Sequence, residues 1–236
     1  MTPSELEARL LYRDGLMLIL DKPAGLAVHA GPRGGANLRD YLDGLRFGLP
    51  QAPELAHRLD RDTSGCLVLG RHRKALAKLG RLFAEAQVRK TYWAVVVGAP
   101  PLSEGLIDLK LLKENRKSGW KMKVDANGQI AQTAYRIVGQ GDGLCWLSLE
   151  PKTGRTHQLR VHLAAIGCPI LGDPVYGGAV TDAQNQPMHL HAREIRVPLY
   201  PRRTPIKAVA QVPTHMQVAM RRCGWKDGPR PEETAA

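Results

Sequence analysis

The sequence predicts an α+β domain, and three observations carry that prediction. Segments with strand and helix patterning follow one another without the steady strand–helix repeat of a doubly wound sheet. No internal repeat, low-complexity tract or long Ser/Gly/Pro linker divides the 236 residues, a length ample for a buried core. Hydrophobic residues at 43% and charged residues at 24% are the proportions of an ordinary globular chain. One domain over residues 1–223 is expected, followed by a disordered tail, 224–236, in which Asp227-Gly228-Pro229-Arg230-Pro231 offers little to pack.

The elements follow in order. Leu16–Leu20 is an apolar run closed by Asp21-Lys22-Pro23-Ala24-Gly25, which reads as a buried strand entering a Pro/Gly turn. Between Lys74 and Glu85, Ala75, Leu76, Leu79, Leu82 and Phe83 recur at the three-to-four spacing of an amphipathic helix. Thr91–Val97 is aromatic and β-branched and stops at Gly98-Ala99-Pro100-Pro101, so it is a strand. Leu144–Leu149 is another strand. His157–Ile166 is helical, with Leu159, His162, Leu163 and Ile166 on one face and Gly167 as its C-terminal cap. Arg160 falls on a different face, which does not require its burial.

Composition narrows the function. No apolar run approaches the roughly 18 residues of a transmembrane helix, and Met1–Glu5 lacks the features of a signal peptide. Cys66, Cys145, Cys168 and Cys223 are scattered without a CxxC pair, so neither a zinc site nor a disulfide framework is indicated. A cytoplasmic protein without membrane partner, metal or cofactor is expected. The formal net charge is +12, and residues 61–123 hold most of the excess, with 14 Lys/Arg against 5 Asp/Glu. The densest stretch runs from Lys110 through Lys113, Arg116, Lys117 and Lys121 to Lys123, opposed by Glu114. Such a stripe is either a solvated lysine-rich loop or the footprint of a phosphate-backbone binder, and the basic balance of the whole chain favours nucleic acid.

The run His57-Arg58-Leu59-Asp60-Arg61-Asp62-Thr63-Ser64-Gly65 sets one carboxylate, Asp60, between two arginines before a turn. In extended backbone Arg58 and Asp60 share a face while Leu59 anchors the other. Cationic neighbours keep such a carboxylate ionised, fit to act as nucleophile or base; alone, the run is better read as a surface ion pair beside a turn. Asp60-Arg61-Asp62-Thr63 superficially matches an aspartyl-phosphate motif but lacks the apolar strand before it. The Asp-Thr-Gly of aspartic proteases is interrupted by Ser64. His157 and His162 are five apart rather than the four that align two zinc ligands on a helix.

Taken with distant segments, this run resembles the central motif of the RluA-type family of RNA pseudouridine synthases. Tyr12-Arg13-Asp14 with Asp21–His29 resembles that family's opening motif, and Lys90-Thr91-Tyr92 its Lys-x-Tyr motif. Gly154–His162 resembles its arginine-bearing motif, and Gly167–Gly177 with Leu190-His191-Ala192 completes the order. The likeness extends from about residue 12 to about residue 215. The departures are Ala30, where the family often has Pro, and Arg196-Val197-Pro198-Leu199, where an aromatic and His-Pro are common. The chain also resembles the short form, without room for an N-terminal S4 RNA-binding domain.

The resemblance implies a mixed, mostly antiparallel central sheet flanked by helices and loops, with an RNA-binding cleft. It implies isomerisation of uridine to pseudouridine in structured RNA, ribosomal or transfer, by a protein acting as a monomer. Asp60 is then the catalytic aspartate, by attack on the ribose or by its deprotonation. Arg160 pairs with Asp60, and Tyr92 lies against the target base. Leu159 lines the base pocket or is core, and Arg58 fills the space of the flipped nucleotide. A non-catalytic RNA-binding or ribosome-assembly module on the same fold is the alternative; retention of Asp60, Tyr92 and Arg160 together favours the enzyme.

Overall fold

Apolar runs that do not alternate with polar residues belong to strands covered on both faces, and this chain is built around such strands. The computed structural model describes residues 2–30, 34–116, 119–178 and 186–226. In chain order the elements are helix α1 (Pro3–Glu7), strands β1 (Leu10–Arg13) and β2 (Met17–Lys22), a 3-10 helix (Leu38–Leu45), β3 (Glu54–Leu55), β4 (Ser64–Gly70), helix α2 (Arg73–Ala84), β5 (Arg89–Val97), β6 (Glu104–Asp108), β7 (Leu111–Arg116), β8 (Gly119–Val124), β9 (Gln132–Gly141), β10 (Leu144–Pro151), helix α3 (Gln158–Ala165), β11 (Leu190–Val197), β12 (Ile206–Val209) and helix α4 (Thr214–Arg222). The five expected elements are all present, with α2 beginning one residue earlier than Lys74 and β5 two residues before Thr91.

Ten strands form one sheet in the order β1-β2-β4-β11-β5-β10-β9-β6, with β12 added to β11 and β3 to β4. All its ladders are antiparallel except β4 with β11, which is parallel. The mixed, mostly antiparallel α+β sheet is therefore as expected. Its strands divide their side chains by parity. Leu18, Leu20, Leu67, Leu69, Ala94 and Val96 face one layer, closed by the 3-10 helix and by Leu159 and Leu163 of α3. On the other face Met17, Ile19, Cys66 and Val68 meet Leu79 and Leu82 of α2. Further along that face, Trp93, Val95 and Trp146 meet Met216 and Met220 of α4.

Three expectations need correction. Arg160 is not an accessible side chain off the apolar stripe; it is 4% exposed, and every residue from Gln158 to Leu163 is buried. Helix α3 lies between two partners, for Val161 packs with Leu111 and Met122 of the β7–β8 pair while Leu159 and Leu163 face the sheet. The basic stretch is not a loop. Leu111–Arg116 and Gly119–Val124 form a separate antiparallel hairpin, with Lys117 outside the described residues. Packing also runs past Cys223, because Trp225 is buried against α4; Asp227–Ala236 of the expected tail lie outside the described residues.

The parallel β4–β11 contact is tight. Gly65 has φ +104°, and a Cβ there would sit 2.2 Å from the Ala192 carbonyl oxygen. Gly65→Ala is expected to cost roughly 3 kcal/mol or more, through backbone strain and overpacking together; an unchanged urea midpoint would refute this. Two histidines beside that contact are buried and neutral. Burial holds His191 down to about 3 and His189 down to about 4. His191 is wedged between the Ser64 hydroxyl at 2.9 Å and the Ala210 carbonyl at 3.4 Å. Because the unfolded chain takes up these protons first, stability falls as the pH drops from about 6.5 toward 4. The slope is up to about 1.4 kcal/mol per pH unit for each group. Urea unfolding measured across that window checks it, and a flat profile contradicts it.

Candidate active site

Asp60 lies in the loop between β3 and β4, rather than on a strand. That loop is fixed from beneath. Leu59 is buried in the core, the Thr63 amide donates to the Asp60 carbonyl at 3.2 Å, and the fully buried Lys22 reaches up from the end of β2. Its Nζ donates to the carbonyls of Pro23 and Leu26 at 2.8 Å and of Arg61 at 2.9 Å. Three donors meeting three carbonyls use the whole capacity of an ammonium group. Burial pulls Lys22 down to about 8, opposed by the charges of Asp62, Asp60 and Asp21.

The ion pair anticipated within the central run is Arg61 with Asp62, at 3.7 Å. Asp60 pairs instead across the fold. Its Oδ2 accepts from Arg160 NH1 at 3.4 Å and lies 3.8 Å from His157 Nε2. Among the described residues nothing bonds its Oδ1. Arg160 is held in turn by a two-point fork, with Nε and NH2 each donating to Asp173 at 2.8 Å. Asp173 is 1% exposed, and its Oδ1 also accepts the amides of Val175 and Tyr176 at 2.8 and 3.0 Å. Burial disfavours the charge on both partners. The Asp173 carboxylate nevertheless raises Arg160, and Arg160 lowers Asp173. Both stay charged. The guanidinium also lies 5.1 Å from the centre of the Tyr176 ring.

Above this floor opens a cleft of about 1160 Å³ lined by all five residues anticipated from the sequence, Arg58, Asp60, Tyr92, Leu159 and Arg160. Tyr92, on β5, is 9% exposed, and Leu159, on α3, is 7% exposed and also part of the core. Burial and then the Asp60 charge push the Tyr92 phenol upward, so it is un-ionised near neutral pH. Arg58 is exposed on the rim. Arg89, Lys90 and Arg155 make the remaining walls basic, while Glu150 and Glu194 in the same walls are paired with Lys152 and Arg196. Gln158 pins the Thr153–Arg155 loop that carries part of this wall. Its Oε1 accepts from Thr153 Oγ1 at 2.7 Å and the Arg155 amide at 3.0 Å, while Nε2 donates to Gln132 and Thr133.

Sequence reasoning missed four members of this arrangement. Lys22, Asp173 and Tyr176 stood inside recognised motifs without a role being assigned, and their chemistry was a usable signal: a lysine ending an apolar strand and an aspartate inside an apolar turn each need a partner. His157 was weighed only as a metal ligand. It sits instead at the N-terminus of α3 with φ +53°, its Nδ1 2.8 Å from the Tyr176 hydroxyl. Among the described residues no cluster of three or more His, Cys, Asp or Glu suited to a metal ion occurs, and no helix is long and apolar enough to cross a membrane.

The family model described as RNA pseudouridylate synthase matches residues 16–165. The chain is 44% identical over 210 residues to the uncharacterized RNA pseudouridine synthase of Zymomonas mobilis, covering 88% of this chain and 95% of that one. It is 39% identical over 201 residues to ribosomal large subunit pseudouridine synthase C of Vibrio parahaemolyticus, covering 82% of this chain but only 62% of that protein. The solved structure of human RNA Pseudouridylate Synthase Domain Containing 4 is similar at a TM-score of 0.80 and 27% identity, covering 96% of this chain and 97% of that one. A family match over more than half of the chain, on a fold shared with a member of known structure and around a cleft floored by a paired aspartate, makes this chain a member of the RluA-type RNA pseudouridine synthases, enzymes that isomerise uridine in RNA to pseudouridine.

Proposed function

We propose that the chain modifies uridines in structured RNA, ribosomal or transfer, with Asp60 as its catalytic carboxylate. The observation that carries this reading is the Arg160–Asp60 contact at 3.4 Å on the floor of a basic cleft. A module that only binds RNA has no use for a carboxylate there.

The reaction breaks the C1′–N1 bond, forms C1′–C5, releases the C5 proton and leaves a proton on N1, so no oxidant or reductant enters the balance. Asp60 acts on the ribose as the base departs, at C1′ as nucleophile or at the 2′ carbon as base, with the Arg160 guanidinium 3.4 Å from its Oδ2. Tyr92 and Leu159 supply the apolar wall against which uracil turns. Because the Tyr92 phenol is un-ionised, its contribution is contact and hydrogen bonding rather than a standing charge. The uridine has to leave its stack first, at a cost of about a few kcal/mol, and the exposed Arg58 is the candidate to hold the vacated space or contact the flipped nucleotide.

Asp60→Ala is expected to abolish tritium release from C5-labelled RNA while leaving RNA affinity within about tenfold, since phosphate contacts dominate affinity. Full release by that variant defeats the assignment. Pseudouridine mapping in total RNA from cells with and without the gene identifies the target and separates ribosomal from transfer RNA. For the hairpin, Lys123 is already paired with Asp125 at 2.9 Å, so Lys110 and Lys121 are the better probes. Reversing both to Glu is expected to lower the log–log salt slope of RNA binding by about 1 to 2; an unchanged slope shows a hairpin that does not touch phosphate.

A further inference from the structure

We propose that His157 is a second positioning residue for Asp60, and that the β7–β8 hairpin sets its place. The inference rests on the assignment of Asp60 as the catalytic carboxylate.

The His157 backbone is left-handed, at φ +53°, and its side chain makes no capping bond to α3. A non-glycine residue rarely adopts that conformation without support from its surroundings. Here the strain turns the imidazole toward Asp60, with Nε2 3.8 Å from Oδ2. Two contacts lock the ring. The Tyr176 hydroxyl is 2.8 Å from Nδ1, and the Trp120 indole stacks on the ring at 5.2 Å between centroids and 24° between planes.

The proposal also assigns a tautomer. The Met122 amide donates to the Tyr176 hydroxyl at 3.0 Å, and in the proposed arrangement that hydroxyl donates its own proton to Nδ1. Nε2 then carries the hydrogen and presents it to the Asp60 carboxylate. Burial, with Arg160 and Arg58, holds the imidazole below its ordinary range against the pull of Asp60 and Asp173, so it stands neutral beside the carboxylate, with Nε2 3.8 Å from Oδ2 and just outside hydrogen-bond distance.

Strand β8 backs both locks, for the Trp120 indole is its side chain and the Met122 backbone amide holds the Tyr176 hydroxyl. Trp120 is 44% exposed, with Lys113 Nζ 5.1 Å from its ring centre. Any RNA contact that seats or lifts this strand therefore acts on the imidazole, and through it on Asp60. A single turn anchors both arms that reach the carboxylate, because Asp173 holds Arg160 and Tyr176 holds His157. Both arms converge on Oδ2, and Oδ1 is left facing no donor among the described residues.

Single-turnover tritium release, using C5-tritiated total RNA from cells lacking the gene, tests the proposal with the full chain. His157→Ala is expected to slow release about tenfold or more while changing RNA affinity less than about threefold. His157→Gln, whose side-chain amide restores a neutral N–H, recovers most of that loss. Trp120→Ala slows release as well, and the His157→Ala/Trp120→Ala double variant is no slower than His157→Ala alone, since both changes act through one ring. Wild-type release by His157→Ala overturns the proposal, as does a double variant whose losses multiply. Should His157→Ala fail to fold, Tyr176→Phe removes only the hydroxyl and is expected to slow release about threefold at unchanged affinity; a wild-type rate overturns the proposal equally. Asp60→Asn is the control. If it still releases tritium, the assignment of Asp60 fails; if it is inactive while His157→Ala is not impaired, only the role of His157 fails.

Discussion

A guanidinium with 4% of its surface exposed has to be neutralised where it lies, and the arrangement of the site follows from that requirement. An unpaired charge in such a position costs several kcal/mol. Asp173 meets it with a two-point fork, which fixes the plane of Arg160 as well as its position. With two of its nitrogens committed there, the NH1 that remains points at Asp60. The orientation of a loop before β4 is thus determined by a turn more than a hundred residues later in the chain. Lys22 repeats the device from the other side, tying the end of β2 to the backbone of the same loop. Two buried cations, each fully partnered, leave the Asp60 loop little freedom.

The sheet provides the ground for this. Strand β11 runs between β4 and β5, so the Asp60 loop and Tyr92 approach one cleft from strands separated by a third. Helix α3 crosses that face with Leu159 and Leu163 inserted into the core. Packing of the two leucines therefore determines where Arg160 and His157 stand. The close passage of β4 against Ala192 at Gly65 belongs to the same geometry, five residues beyond Asp60.

How far the sequence discloses this depends on whether a residue's neighbours are local. The strands around Leu18, Val95 and Leu147 and the helix carrying Leu79 are visible as runs and periods, because their burial is a property of consecutive residues. All five candidate side chains line one cleft, and motif order alone was enough to group them. What stayed hidden is pairing at a distance. Arg61 lies next to Asp60 in sequence and pairs with Asp62, whereas the partner of Asp60 is Arg160. Helical periodicity puts Arg160 off the apolar stripe, yet the Asp173–Tyr176 turn and the Asp60 loop cover that side of α3. The hairpin itself looked like a loop because its lysines and its Glu114 mask the alternation that Leu111, Trp120 and Met122 follow.

The basic walls of the cleft have one more effect, which concerns the approach of the proposed substrate rather than the reaction. RNA is a polyanion, and a lone carboxylate at the floor of its binding cleft would repel the phosphates that must come close to it. Here the charge of Arg160 is taken up by Asp173 and Asp60, but on the surrounding walls Glu150 and Glu194 are paired with Lys152 and Arg196, which leaves Arg58, Arg89, Lys90 and Arg155 in excess. The field that an incoming strand meets is therefore positive until a ribose lies within contact distance of the carboxylate. The carboxylate proposed to act on a sugar is concealed, at long range, inside a basic surface.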